Sequence, residues 1–378
     1  MNNNATRAAP LLALATCFAV SPAHAAEEAD SAIIVTAPIA SDAAEQRAAR
    51  TPGGTDVVSY EDYADKTVVS LRDTLAFSPG VYLQPRYGQE VRISIRGSGL
   101  SRGFHMRGLT LLQDGVPINL ADDNGDFQEL EPIFFDHLEV YRGANALRFG
   151  SGTLGGAVNG VTPTGRSAEG LYLRGDAGSF GMVRGLVSAG VASDRVDAWG
   201  AVSADGSDGD RDHAKRRSLR FHGNVGLKLS DVATSRFYAS VNAIDQQLPG
   251  ALTRADALAT PRKAAAASIA GDQARDIDSL RLQNRTSFDW GALTLDVGGF
   301  VNAKSLYHPI FQVVDQESVD RGGFFRLDYD GGMVAATFGG ELRVGDVNSK
   351  RFVNVSGKRG AKTFDAKQDA RTATLYGE

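Results

Sequence analysis

From Gly170 to the end of the chain, apolar and polar residues alternate with a period of two over long stretches. The clearest run sets Leu219, Phe221, Gly223, Val225, Leu227 and Leu229 against Arg220, His222, Asn224, Gly226 and Lys228. Successive side chains of a strand point to opposite faces, so each run shows one face to an apolar medium and the other to a wet one. Residues 280–288, 293–303, 319–329 and 334–344 repeat the pattern, and each reaches the roughly 9 to 11 residues that a tilted membrane strand needs. The spacing predicts about ten strands of this kind.

The connections between them fall into two alternating classes. Short turns are expected at 193–194, 230–234, 290–291 and 330–332, and long polar connections at 206–216, 247–276, 305–317 and 347–369. Short on one rim and long on the other is the asymmetry of an outer-membrane barrel, with the short turns periplasmic. A soluble β-sandwich would have no reason to sort its loops this way. One departure is the tight hairpin at 178–181, where a long loop is due. Phe288, Trp290 and Tyr307 fall near strand ends and suit interfacial girdles.

The N-terminus bears on compartment. Residues 1–25 carry one cation, Arg7, an apolar run from Ala8 to Val20, and a small-residue end at Ala23-His24-Ala25, which reads as a secretory signal peptide. The apolar run is shorter than the roughly 20 residues of a membrane anchor. Cys17, the only cysteine, lies within it, so the mature chain has neither disulfides nor thiolate metal sites. Losing Arg7 takes the formal charge from -5 to -6. That balance offers nucleic acid no basic surface.

Residues 26–54 are small, acidic and Pro/Gly-rich apart from Ile33-Ile34-Val35-Thr36, and read as a disordered arm carrying one extended segment. Residues 55–165 mix types: a strand at 57–59, a helix at 70–77 ended by Pro79-Gly80, and strands at 91–95, 109–113 and 138–141, with many loop glycines. This is a small α+β domain. It is too large for the lumen of about ten strands. An open strand edge is not tolerated in lipid, so the natural chain is expected to continue beyond Glu378 and to close the barrel.

Three segments now carry a resemblance. SAIIVTA at 31–37 resembles a TonB box. RISIRGSG at 92–99, LTLLQDGVPIN at 109–119 and LEVYRGANALRFGSGTLGGAVNGVT at 138–162 resemble the plug of TonB-dependent outer-membrane receptors. The resemblance implies a membrane β-barrel of about 22 strands, of which roughly the first ten are present, preceded by an α+β plug. The implied domains are a signal peptide (1–25), a periplasmic arm with the box at 31–37 (26–54), a plug (55–165) and the first part of the barrel (166–378). It also implies active uptake of a scarce solute, a ferric siderophore or other iron chelate, with cobalamin, a nickel chelate or an oligosaccharide as the alternative. The implied partners are TonB, the solute and outer-membrane lipid, with no nucleic acid. The receptor is expected to be a monomer.

Ile33, Ile34, Val35, Thr36 and Ala37 are the expected TonB-binding segment, because an unpaired strand can add to a partner's sheet edge. Arg96 and Arg142 fall in the family's two Arg-Gly motifs, where such arginines pair with barrel carboxylates; a purely local role within plug turns is the other reading. The loops at 98–106 and 121–131 are expected apices facing the solute, with Arg102, Phe104 and His105 able to hold an anionic chelate. Asp122, Asp123 and Asp126 either attract a cation or are solvated.

No cofactor, metal site or catalytic residue is expected. Gly150-Ser151-Gly152-Thr153-Leu154-Gly155 satisfies G-x-G-x-x-G, but the residues after it lack helical periodicity. Asp122, Asn124 and Asp126 mimic the start of a calcium loop, yet Phe127 stands where glycine is required. The remaining histidines show no H-E-x-x-H spacing and there is no G-x-S-x-G elbow. The rivals are a passive porin, which needs no plug, a receptor with an added signalling domain before the box, and a secreted β enzyme or adhesin.

Overall fold

The structure, a computed structural model, describes residues 40–378 apart from 52, 99–105, 107, 123 and 151. The expected TonB-binding segment and Arg102, Phe104, His105 and Asp123 lie outside the described residues.

The N-terminal domain opens with helix α1 (Ala40–Arg50), where the sequence reading expected disordered arm. Its five alanines are good helix formers and Asp42 sits favourably in the first turn. Packing on the first strand supplies what so short a helix lacks alone. Next come β1 (Gly54–Ser59), α2 (Leu71–Leu75), β2 (Val81–Pro85), β3 (Val91–Ile95), β4 (Leu109–Gln113), β5 (Val116–Pro117), β6 (His137–Arg142) and β7 (Gly156–Val161). Helix α2 begins at Ser70, whose hydroxyl accepts from Arg72 N while Asp73 accepts from Ser70 N at 3.0 Å, so the two orphan donors are satisfied reciprocally.

The domain's main sheet has the order β1-β6-β7-β4-β5, with β4 and β7 parallel and the other pairs antiparallel. β7 follows directly on the glycine motif, which therefore leads into a central strand and not a helix. Its Gly160 is obligatory for packing: a Cβ there would lie 2.4 Å from the Phe135 ring. Leu71, Leu75, Ile93, Ile95, Leu111, Leu138, Val140 and Val158 form the core.

The rest of the chain is one ten-stranded antiparallel meander whose spatial order is its sequence order: β8 (Gly170–Gly178), β9 (Met182–Ala192), β10 (Val196–Ser207), β11 (Arg216–Lys228), β12 (Ala233–Gln246), β13 (Asp276–Asp289), β14 (Leu293–Pro309), β15 (Gln312–Asp330), β16 (Ala335–Val355) and β17 (Lys358–Gly377). The alternation appears as burial. Arg184, Leu186 and Ser188 of β9 face the N-terminal domain while Val183, Val187 and Val191 are exposed. On β11, Arg220, His222 and Asn224 face in, and Leu219 and Val225 face out. Polar inside and apolar outside suits a strand between lumen and lipid. Leu186, Trp199 and Ala201 join the N-terminal domain's own core, so the domain lies against the inner face. No helix among the described residues is long and apolar enough to cross a membrane, which says nothing about strands.

The short turns fall where the sequence put them, and Phe288 stacks on Trp290 beside one of them at a centroid distance of 5.8 Å. The opposite rim differs from expectation. The connection after β12 is long and carries α3 (Arg254–Ala259) and α4 (Ala266–Ala270), but 305–317 and 347–369 are not loops. β14 and β15 continue to a turn at 310–311, and β16 and β17 to a turn at 356–357. These polar stretches lose the apolar alternation because above the membrane both faces of a strand meet water.

Candidate functional site between the plug-like domain and the strand wall

The two parts meet through buried charge. Glu131, on the segment leading to β6, accepts from Arg220 Nη1 of β11 at 3.0 Å and also from Arg184 of β9. Arg220 further donates to Gln89 Oε1 at 2.6 Å and to the Gln128 carbonyl at 3.1 Å. A forked guanidinium serves several acceptors at once, which suits a boundary closed to water.

A second cluster lies nearer the rim with the longer connection. Asp126 accepts from Arg275 Nε at 2.9 Å and from the Lys304 ammonium of β14, which also reaches Glu129 Oε1 at 2.8 Å. Burial alone would raise the Asp126 carboxyl, but the charges of Arg275 and Lys304 outweigh it and hold the group well below the usual carboxylate range. Other wall side chains close off domain carbonyls. Arg343 donates to Asn119 O at 2.6 Å, Arg285 to Asp114 O at 2.6 Å, and Arg174 to Ala64 O at 2.8 Å.

In these two clusters the domain supplies carboxylates and the wall supplies cations, whereas Arg148 of the domain pairs with Glu378 at the end of the wall. Arg142 reaches Asp56 at 3.2 Å and Ser78 Oγ at 3.2 Å, both within its own domain. Arg96 is exposed, with its guanidinium beside Gly54 and Gly143. Asp122 is half-buried and accepts from Asn124 N at 3.0 Å. Asp126 sits not in solvent but in the buried cluster. Glu129, Glu131 and their wall partners escaped the sequence reading; the only available signal was a set of cations at inward positions of the alternating strands.

A cavity of about 320 Å³ opens beside the second cluster, bounded by Asn124 and Asp126 on one side and by Arg275, Lys304, His308, Phe311 and Arg351 on the other. A further space of about 500 Å³ separates α1 and β6 from β12–β17, with Arg47, Glu139, Arg285 and Arg326 on its walls. At its edge, His137 Nδ1 lies 2.8 Å from Asp136, and Nε2 stands 3.8 Å from Glu139, close enough for charge but not for a hydrogen bond. Burial pushes the imidazole down, yet the two carboxylates dominate and raise it to about 9. Burial likewise disfavours the Glu139 charge, but His137, Asn159 and Arg47 lower that carboxyl to about 2.

Residues 47–157 match the model of the TonB-dependent receptor plug domain. The chain is 28% identical over 192 residues to the vitamin B12 transporter BtuB of Vibrio vulnificus, covering 48% of this chain and 30% of that protein. It is 30% identical over 159 residues to the ferric enterobactin receptor PirA of Pseudomonas aeruginosa, covering 37% of this chain and 20% of that one. Among solved structures, the unliganded ferric citrate transporter FecA superposes with a TM-score of 0.70 at 18% identity, over 88% of this chain and 54% of that one. A mutant form of the ferric enterobactin receptor PfeA of Pseudomonas aeruginosa gives 0.64 at 14% identity, over 88% and 55%. The chain thus spans under a third of these two curated relatives and about half of the solved ones. Residues 47–157 therefore match the TonB-dependent receptor plug domain in sequence, and the plug and strand wall together share the fold of the ferric citrate transporter and the ferric enterobactin receptor.

Proposed function

We propose that the chain belongs to a TonB-dependent outer-membrane receptor that takes up a scarce anionic solute, a ferric siderophore or other iron chelate, with energy delivered through TonB. The observation that carries the reading is the cavity at the rim with the longer connection, where Arg275, Lys304 and Arg351 gather opposite the plug segment around Asn124. That rim is the outer one if short turns are periplasmic. Arg275 and Lys304 are paired with Asp126 and Glu129, and Arg351 adds a further cation, so the partly desolvated cavity keeps a positive balance that favours negative charge. Arg102, Phe104 and His105 complete the plug's contribution, and Ile33, Ile34, Val35, Thr36 and Ala37 add as a strand to TonB. The receptor binds and gates; it is not an enzyme.

The second reading, uptake of cobalamin, rests on the named B12 transporters among the relatives. One experiment separates the two. Cells with and without the gene are given iron-labelled chelates or labelled cobalamin, with and without an uncoupler. Receptor-dependent, uncoupler-sensitive accumulation of iron is expected, and accumulation of cobalamin alone overturns the anionic reading.

A further inference from the structure

We propose that Asp126 and Glu129 form an ion-exchange latch: they occupy the very cations that an anionic solute must engage, so that solute binding and release of plug residues 120–129 are one event. The inference rests on the cavity being the solute site.

Lys304 is bound to both carboxylates, and Arg275 donates to Asp126 through two nitrogens. Both cations also line the cavity, together with Asp126 itself. Two cations face two carboxylates, so the buried cluster is neutral as it stands. A multiply charged anion entering the cavity makes it negative unless a resident carboxylate withdraws. A ligand shifts a conformational equilibrium only by its differential affinity for the two states. Here the difference is built in, because withdrawal of Asp126 frees Arg275, and withdrawal of Glu129 with it frees Lys304 as well, for the solute.

The connection to the rest of the plug is local. Ala121 N donates to Asp320 Oδ1 of β15 at 2.6 Å and Leu120 N to Asn124 O at 2.7 Å. Beyond this stretch, Glu131 holds Arg184 and Arg220 and does not line the cavity. Anion exchange thus frees the segment before Glu131 and leaves the plug anchored.

The test uses the receptor purified from outer membranes in detergent, with citrate as a generic polyanionic probe. In the unaltered protein, citrate should raise hydrogen exchange of backbone amides at 120–129 and leave 137–142 protected. Asp126→Asn with Glu129→Gln removes the competing anions, and citrate should bind between about 5- and 150-fold more tightly. Glu131→Gln, a buried carboxylate outside the cavity, should loosen the plug without changing citrate affinity. Lys304→Met should abolish citrate binding. Citrate binding of equal affinity in the Asp126/Glu129 variant, with exchange unmoved in the unaltered protein, overturns the latch and leaves the solute site standing. No citrate binding to either protein overturns the site and the latch with it. Should the double variant fail to fold, exchange in the unaltered protein and the affinity of Asp126→Asn alone decide.

Discussion

Arg220 of β11 donates to Glu131 at 3.0 Å across the boundary between plug and wall, and both side chains are almost wholly excluded from solvent. Removing one partner of such a pair leaves the other charged, buried and unpaired, which costs about 3–5 kcal/mol. Glu131→Gln should therefore weaken plug docking by that order. Asp56→Asn should cost less, because Asp56 pairs with buried Arg142 but is itself partly exposed. Thermal unfolding and protease access to the plug, compared between the two variants, measure the difference.

The His137 cluster gives a pH dependence with a definite sign. Its imidazole is raised from the ordinary 6.5 to about 9, so the folded state holds a proton that the unfolded state releases. The stabilisation is complete below about 6.5 and fades as pH rises through 9. Glu139, lowered to about 2, works in the other direction: its contribution is present above the usual carboxylate range and is lost only as pH falls towards 2. Melting curves between about pH 6 and 9.5 should show plug stability declining, and His137→Gln should flatten that decline. An equal slope in the variant would assign the effect elsewhere.

At Gly160 the Phe135 ring fills the space of a side chain. Gly160→Val should destabilise the plug by about 1–3 kcal/mol through overpacking. Shifts in the exchange of β6 and β7 amides would locate the damage, and wild-type stability in the variant would contradict the packing argument.

If residues 33–37 add as a strand to TonB, deleting them should leave solute binding and membrane insertion intact while abolishing uptake. Val35→Pro should act similarly by removing a backbone donor. Normal accumulation of labelled solute in either strain contradicts the assignment.

For the outer face, Arg102→Ala with His105→Ala should weaken chelate binding by roughly 2–5 kcal/mol if these side chains meet the solute. Titration calorimetry on the purified receptor reads it directly. An unchanged affinity would move recognition to the wall cations.

The wall was legible because lipid and lumen impose opposite demands on alternate residues, and Leu219 against Arg220 states both demands in two letters. Its ion pairs were not. Glu131 meets Arg184 from 53 residues away, and Asp126 meets Lys304 from 178. No periodicity spans such distances, so Asp126 read as one acid in an exposed run. The Arg-Gly motifs pointed to arginine on the plug side, whereas Arg142 spends its donors on Asp56 and Ser78. Helix α1 was hidden because alanine, arginine and glutamate serve a docked helix and a disordered arm equally well. The polar tracts at 305–317 and 347–369 looked like loops because strands wet on both faces carry no alternation.

Those hairpins change what arrival at the outer face costs. β15 runs for 19 residues, roughly 60 Å of strand at about 3.4 Å per residue, against an apolar band of about 25 Å. Even with tilt, it stands well clear of the lipid and ends in a two-residue turn. A binding surface made of cross-bonded backbone has little conformational freedom left to lose, whereas a loop of the same length would have to be ordered by its guest. On this side of the mouth, selection should fall on the shape of an incoming molecule, with rigid molecules that fit held as readily as flexible ones and poorly fitting molecules not accommodated by rearrangement.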